Sequence, residues 1–177
     1  GLGDVYKRQP QKAVMFSGSV LSNITFGKNR HGKPSKERVK AAIRVSQAEE
    51  FVSKLDDKEK AHIAQGGTNV SGGQKQRLSI ARTIARDPEI YIFDDSFSAL
   101  DYKTDSTLRS ELKKYTKDAT VMIVAQRIGT ILNADKIVVL DNGKCVGIGT
   151  HKELMKKCKV YKEIALSQVS KEELENV

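Results

Sequence analysis

Apolar residues recur at helical spacing in two stretches of the chain, each with a recognisable start. The spacing from Val39 to Leu55 predicts one helix with a single buried stripe, and Ser35 is a suitable N-terminal cap for it. A second helix is predicted to open at Ser71 and to end before Pro88, because helical backbone is disfavoured in the residue before a proline. Each helix should therefore pack an apolar face on a core.

Short runs of consecutive apolar residues predict strands. Residues 90–93 and 120–125 form such runs, which are typical of strands buried on both faces, and a polar helix is predicted over residues 104–115 between them. Helices that alternate with buried strands indicate a largely parallel sheet covered by helices. The predicted fold class is therefore α/β.

A hairpin is predicted further along the chain. Residues 136–140 and 145–148 are apolar runs on either side of Asp141-Asn142-Gly143, and Asn-Gly between such runs is a strong hairpin signal. We expect this antiparallel hairpin at one edge of the parallel sheet. Thr150 should then open a helix, with Glu153 completing a capping box.

The composition narrows the class of protein. With 177 residues, 38% of them hydrophobic, the chain can bury a core, which excludes a disordered protein. Its apolar runs are far shorter than the roughly 20 residues of a membrane-spanning helix. Lys and Arg (31) outnumber Asp and Glu (22), but the basic residues are dispersed and aromatic residues make up only 6%. Binding to nucleic acid is therefore not expected.

The two ends of the chain differ from the part between them. Residues 1–9 show no periodic apolar pattern, and residues 4–9, DVYKRQ, resemble the translated end of a transposon used as a sequencing adapter. We interpret residues 1–9 as an artefact and exclude them from the fold, with a native N-terminal strand as the alternative. Residues 10–168 then form the domain, and residues 169–177 are expected to be a polar tail.

The most informative segment for chemistry is Ser71-Gly72-Gly73-Gln74, at the start of the second predicted helix. Backbone N–H groups at a helix N-terminus and the positive end of its dipole favour anions. Glycines leave room for a phosphate to approach the backbone, while the Ser hydroxyl and the Gln amide add directed hydrogen bonds. This segment is therefore a predicted phosphate site, with an ordinary glycine-rich helix start as the alternative.

A second candidate lies at the end of the strand over residues 90–93. Asp94 and Asp95 follow it directly, and an apolar strand that delivers a carboxylate at its C-terminal end is the Walker B arrangement, in which the first Asp holds Mg²⁺. Two acids that merely face solvent are the alternative. The segment Ser98-Ala99-Leu100-Asp101, which follows at once, argues against it.

Together these segments resemble the nucleotide-binding domain of ATP-binding cassette (ABC) transporters, above all exporters. The matching stretches are residues 10–27, 66–82, 90–101 and 125–154, in the order and spacing of the family. The resemblance implies a P-loop NTPase-like ABC ATPase domain, here partial, with ATP and Mg²⁺ as its ligands. It also implies a helical signature region beside the sheet.

The resemblance also implies roles for individual residues. Gln11 matches the Q-loop glutamine, which senses Mg²⁺ and the γ-phosphate and links to a transmembrane partner, and Ser71 to Gln74 match the signature motif, with Val70 in place of the commoner Leu. Asp94 matches the Walker B carboxylate, and Asp101 closes the D-loop across a dimer. Two such domains pair head to tail, so that the signature of one completes the ATP site of the other.

Three departures from the family pattern change the expected function. The phosphate-binding sequence GxxxxGK[ST] appears nowhere in the chain, so this sequence should bind ATP poorly by itself. Asp95 stands where the family has a catalytic Glu, and Gln126 stands where a switch His is expected. A shorter carboxylate is displaced, and a Gln amide cannot carry a proton. The pattern resembles the degenerate subunit of a heterodimeric exporter.

The function expected from the sequence is therefore that of an ABC exporter ATPase domain. We expect a second nucleotide-binding domain from a different subunit as its partner, and a transmembrane domain in the same parent chain. These would place it at the cytoplasmic face of the plasma (inner) membrane. A soluble ABC ATPase of translation or DNA repair and a non-catalytic binding module remain alternatives. The transported substrate is not encoded in this part of the sequence.

Overall fold

The computed structural model describes residues 6–9, 12–27 and 32–168. The chain divides into two compact units, with the boundary between Val124 and Ala125. Within the described residues, no helix combines the length and the apolar character that crossing a membrane requires. The expected polar tail over residues 169–177 lies outside the described residues.

The first unit contains most of the elements on which the predicted site residues lie. Its elements, in chain order, are β1 (Tyr6–Gln9), β2 (Gly18–Ser19), α1 (Val20–Ile24), α2 (Lys36–Val45), α3 (Glu49–Val52), β3 (His62–Ile63), α4 (Gly72–Ile84), β4 (Ile90–Asp94), α5 (Tyr102–Tyr115) and β5 (Thr120–Val124). Short 3₁₀ turns at Lys58–Lys60 and Gln65–Gly67 flank β3.

The main sheet of this unit is parallel, as predicted, and has the strand order β1-β4-β5. The central strand β4 buries Tyr91 and Phe93 completely in the core. The prediction that the next strand is buried on both faces was wrong, because Met122 and Val124 of β5 are 54% and 51% exposed. Among the described strands, β5 has only β4 beside it, and one of its faces is open to solvent.

Excluding residues 1–9 from the fold was wrong for β1. Its four residues pair in parallel with β4, from Tyr6 opposite Ile90 to Gln9 opposite Phe93. The polar sequence YKRQ shows no apolar pattern that would predict a strand. The strand forms through backbone pairing with the apolar strand β4. Gln9 is 1% exposed, and among the described residues neither polar atom of its side-chain amide has a hydrogen-bond partner. The foreign origin of the segment stays a prediction.

The single helix predicted between Val39 and Leu55 is two helices, α2 and α3. Ser35 caps α2 as expected, since its hydroxyl accepts a hydrogen bond from the Arg38 amide at 3.2 Å. The break falls at Gln47, whose φ of 57° is left-handed and incompatible with a continuous helix. Apolar residues continue at nearly helical spacing across the turn, which concealed the break.

Helix α4 matches its prediction and is the central helix of the first unit. It ends before Pro88, and its residues Leu78, Ile80 and Ile84 are fully buried. It packs against both α1 and α2. The short antiparallel pair β2–β3 lies in the same unit and was not predicted, because two residues per strand leave no periodic pattern.

The second unit contains the predicted hairpin. Its elements are α6 (Ile128–Ile131), β6 (Ile137–Asp141), β7 (Lys144–Gly149), α7 (His151–Lys157) and α8 (Lys159–Gln168). Asn142 and Gly143 both have positive φ, 48° and 75°, as the tight turn requires. Among the described strands, β6 and β7 pair only with each other, and their placement at an edge of the parallel sheet stays a prediction. The Thr150–Glu153 capping box is confirmed.

Candidate functional site

The predicted phosphate site is the N-terminus of α4, and its two polar side chains close a capping box. The Ser71 hydroxyl accepts a hydrogen bond from the Gln74 amide at 3.2 Å, and the Gln74 side-chain oxygen accepts one from the Ser71 amide at 2.9 Å. A hydroxyl that accepts such a bond can still donate its own hydrogen. The geometry therefore holds Ser71 in one orientation at the exposed start of the helix.

The glycines of this segment leave the first turn of α4 open. By helix geometry the amides of Gly72 and Gly73 have no acceptor within the helix. A side chain at Gly72 would meet no atom within 4 Å, so this position is open to an approaching group. The 13-residue helix behind it supplies a dipole whose positive end lies at these amides. This geometry is compatible with the predicted phosphate site.

The far end of α4 is anchored by an arginine that the sequence did not single out. Arg82 donates from Nε to the Asn23 carbonyl at 2.7 Å and from Nη1 to the Val14 carbonyl at 3.0 Å. Its guanidinium also lies over the ring of Phe16, 5.4 Å from the centroid. Burial, with a smaller contribution from the neighbouring Arg86, lowers the pKa of Arg82 to about 10, so it stays charged at neutral pH.

Asp94, the predicted Mg²⁺ ligand, ends β4 next to β1. Its Oδ2 atom lies 2.5 Å from Nη2 of Arg8, which is on the neighbouring strand. The guanidinium pairs with one of the two oxygens of this carboxylate. In the described part of the chain, no three His, Cys, Asp or Glu side chains are grouped so as to hold a metal ion. Because Mg²⁺ at a nucleotide site is usually bound by one or two carboxylates together with the phosphates, Asp94 stays the predicted ligand.

Asp95, the predicted catalytic carboxylate, lies in a constrained turn directly after β4. Its φ of 47° is left-handed, a conformation that Asp tolerates better than most residues. Its amide donates to the Val124 carbonyl at 2.9 Å, and its carbonyl accepts from the Ser98 hydroxyl at 3.0 Å. The backbone of Asp95 is thus fixed by β5 on one side and by its own loop on the other.

Asp101, predicted to act across a dimer, has a local structural role here. Its Oδ1 atom caps α5 by accepting a hydrogen bond from the Thr104 amide at 3.0 Å. This bond is the largest cause of the lowered pKa of Asp101. The cap also explains why α5 begins at Tyr102 and not at Thr104 as predicted. A contact of Asp101 with a second domain stays a prediction.

Gln126, predicted at the switch position, belongs to the second unit and is exposed just before α6. Its backbone carbonyl accepts a hydrogen bond from Nε2 of Gln168 at 2.8 Å. The other side-chain atom of Gln168, Oε1, accepts from the Ile128 amide at 2.9 Å. Gln168 therefore holds the backbone on both sides of Arg127, a role with no sequence signal because the residues are 42 and 40 positions apart.

The structure connects some of the predicted residues and leaves others apart. In the first unit, α4 contacts the loop that joins Asp95 to Asp101, through Gly73 and through Gln76, which the sequence analysis did not select. Gln126 lies in the other unit. Gln11 lies outside the described residues.

A comparison with known protein families shows which family contains these motifs. A model that describes the ABC transporter family matches residues 6–98, which is more than half of the chain. The chain belongs to the ABC transporter family. The match includes the signature segment at the start of α4 and the acidic pair after β4, so the resemblance inferred from these motifs is confirmed at the level of the family.

Individual ABC proteins match over nearly the whole chain. An uncharacterized ABC transporter ATP-binding protein of Mycobacterium bovis is 45% identical over 159 residues, which are 90% of this chain and 27% of that protein. A Rickettsia conorii protein named as an export ATP-binding/permease protein is 38% identical over 161 residues, 91% of this chain and 27% of its own length.

A solved structure agrees with these matches. The structure of a bacterial Atm1-family ABC exporter with ATP bound superposes with a TM-score of 0.86 at 31% identity, over 92% of this chain and 28% of that one. The chain is thus homologous to the ATPase domains of ABC exporters, and the predicted fold class is confirmed. It spans between a quarter and a third of the length of these relatives.

Proposed function

We propose that this ABC ATPase domain belongs to an exporter subunit and that its signature segment completes the ATP site of a partner domain. The observation that carries the proposal is the start of α4, where a closed capping box, two glycines and a helix dipole form an exposed anion site. The amides and the Ser71 hydroxyl would bind the γ-phosphate of an ATP held by the partner. Fixed donors of this kind stabilise charge that develops on a reacting phosphate.

The acidic site of this chain supports a weaker role in hydrolysis. Asp95 has one methylene less than the glutamate of the family pattern. A misplacement of about 1 Å can reduce a positioned reaction by roughly 10²-fold. Gln126 can donate a hydrogen bond but cannot carry a proton as a switch histidine would. We therefore assign slow hydrolysis to this site and rapid hydrolysis to the partner's.

The proposed partners follow from this division of labour. A second nucleotide-binding domain, from a different subunit, would carry the competent site that the Ser71–Gln74 signature completes. A transmembrane domain in the parent chain would convert the hydrolysis into export at the cytoplasmic face of the plasma membrane. The Rickettsia relative, whose name joins an ATP-binding and a permease function, supports this placement.

The test of this proposal uses the assembled transporter with its partner subunit. Ser71→Ala and Gly72→Val should each reduce ATP turnover by about tenfold or more, because each removes a feature of the anion site. Ser35→Ala is a matched control. Ser35 also caps a helix through its hydroxyl, at the same 3.2 Å. Both Ala variants lose a helix cap, which should lower the free energy of unfolding by about 1 kcal/mol, but only the Ser71 variant should lose ATP turnover.

Asp95→Ala tests the other half of the proposal in the same assay. It should leave most of the turnover intact, because the partner's site performs the fast reaction. Loss of turnover in Asp95→Ala would refute the degenerate-site assignment. Equal losses of ATP turnover in the Ser35 and Ser71 variants would show that Ser71 affects turnover only by stabilising its helix.

A further inference from the structure

The helix that begins with the signature segment also holds the loop that follows the acidic pair. Gln76 lies one turn into α4 and is only 5% exposed. Its side-chain oxygen accepts a hydrogen bond from the Ala99 amide at 3.1 Å. Ala99 is an exposed residue of an irregular loop, so this bond reaches from the buried side of the helix to a backbone group near solvent.

Gly73 lies three residues before Gln76 on the same face of α4, and it faces the backbone carbonyl of Ala99. A Cβ atom at position 73 would lie 3.3 Å from the Ala99 carbonyl oxygen, closer than most such contacts. It would also lie 3.9 Å from Cδ2 of Leu100, a residue that is itself 5% exposed. Gln76 and Gly73 therefore form one docking surface for residues 99–100.

The loop is also held at its two ends, and Phe97 between them packs in the core. At its start, the Asp95 amide is bonded to the Val124 carbonyl, and at its end Asp101 caps α5. Between these points, the side chain of Gln76 connects the loop to α4. We expect a loop held in this way to follow a displacement of the helix start.

We propose that Gln76 is a positioning residue that couples the signature segment to the acidic pair of the same chain. Its side-chain oxygen holds the Ala99 amide, so that the start of α4 and the loop from Asp95 to Asp101 move as one body. The consequence for catalysis rests on the proposed function. When the Ser71–Gln74 segment engages a nucleotide on a partner, the loop of this chain is carried into position with it.

The contact itself is tested in the 177-residue chain by amide hydrogen exchange resolved at single residues. Gln76→Met keeps an unbranched side chain of similar length but replaces the strong acceptor by a thioether, whereas Gln76→Glu keeps an acceptor oxygen. The Ala99 amide should exchange about tenfold faster in the Met variant and within about twofold of the wild-type rate in the Glu variant. The Leu100 amide, bonded to the Phe97 carbonyl at 3.1 Å, is the internal control.

Unchanged exchange at Ala99 in the Met variant would overturn the proposal, and so would an equal loss of protection in both variants. If the Met variant does not fold, Gly73→Ala serves instead, because its Cβ would push against the Ala99 carbonyl. Faster exchange at Ala99 in this variant supports the docking surface, and wild-type exchange contradicts it.

The coupling is tested in the assembled transporter after the partner's competent site has been inactivated, so that the residual turnover, expressed per bound nucleotide, is that of this chain's own acidic site. Gln76→Met should reduce turnover by about tenfold, and Gln76→Glu should restore it to within about threefold of wild type, since a merely structural loss would not follow the acceptor oxygen. Turnover that is the same in both variants would refute the coupling. Because Ala99 exchange is measured without a partner, failure of the proposed exporter function would leave that result unaffected.

Discussion

The two candidate sites of this domain are held in different ways. At the start of α4, the groups that fix Ser71 come from Gln74, three residues away. At the end of β4, the group bound to Asp94 comes from Arg8, 86 residues away on a separate strand. A site built from neighbouring residues depends on little else in the chain, whereas one built across strands changes with whatever strand lies beside it.

The two sites also differ in the strength of what anchors them. Helix α4 is anchored at its far end by the partly buried Arg82, through two backbone carbonyls and an aromatic ring. The Arg8–Asp94 pair is exposed, with 61% of the Arg8 side chain accessible, and such pairs contribute little to stability. We therefore expect helix α4 to be more firmly held than the Arg8–Asp94 pair.

Replacing Arg82 should have the largest effect, because it removes the anchor of the better-held site. Arg82→Leu leaves the Asn23 and Val14 carbonyls without their charged donor and should lower the free energy of unfolding by about 2–4 kcal/mol. The measurement is urea denaturation followed by circular dichroism. Arg44→Leu, at an exposed position of α2, is the control and should change stability by less than about 0.5 kcal/mol. Equal losses would show that Arg82 is no special anchor.

Replacing Gln9 in β1, beside the acidic site, should have the opposite effect on stability. Its buried amide has no partner in the part of the chain that the structure describes, so Gln9→Leu should raise the free energy of unfolding by about 1–3 kcal/mol. Gln9→Glu would bury a charge at the same place and should lower it. Both are measured by the same denaturation. A gain in Gln9→Leu would show that the buried amide costs stability, and a loss would show that the amide is hydrogen-bonded.

What the sequence predicted correctly rests on local signals. The start of α4, the Asn142-Gly143 turn and the Thr150–Glu153 capping box each need only residues within three or four positions of one another. The order of motifs was enough to identify the family as well. These features form through hydrogen bonds and backbone conformations of neighbouring residues, so the sequence predicts them without knowledge of the rest of the fold.

What the sequence missed depends on contacts between distant segments. Strand β1 has a polar sequence and forms only because β4 pairs with it, and Gln76 and Gln168 acquire roles from backbone groups 23 and 42 residues away. The break at Gln47 was hidden for a different reason, since the apolar spacing continues on both sides of it. Polar side chains that bond to remote backbone leave no periodic pattern.

Removing the charge of Arg8 should have the smallest effect on stability and the most specific effect on ion binding. Arg8→Gln should change the free energy of unfolding by less than about 1 kcal/mol, because an exposed ion pair contributes no more. It should also free the Asp94 carboxylate, so that Mn²⁺, titrated by electron paramagnetic resonance in place of Mg²⁺, binds about fivefold more tightly. Lys12→Gln removes the same charge from an exposed residue and should give no gain. If Mn²⁺ affinity rises equally in both variants, net charge and not the Arg8–Asp94 pair governs cation binding. If the affinity rises only in Arg8→Gln, and the rise disappears in Arg8→Gln/Asp94→Asn, then the strand beside Asp94 limits cation binding at the acidic site.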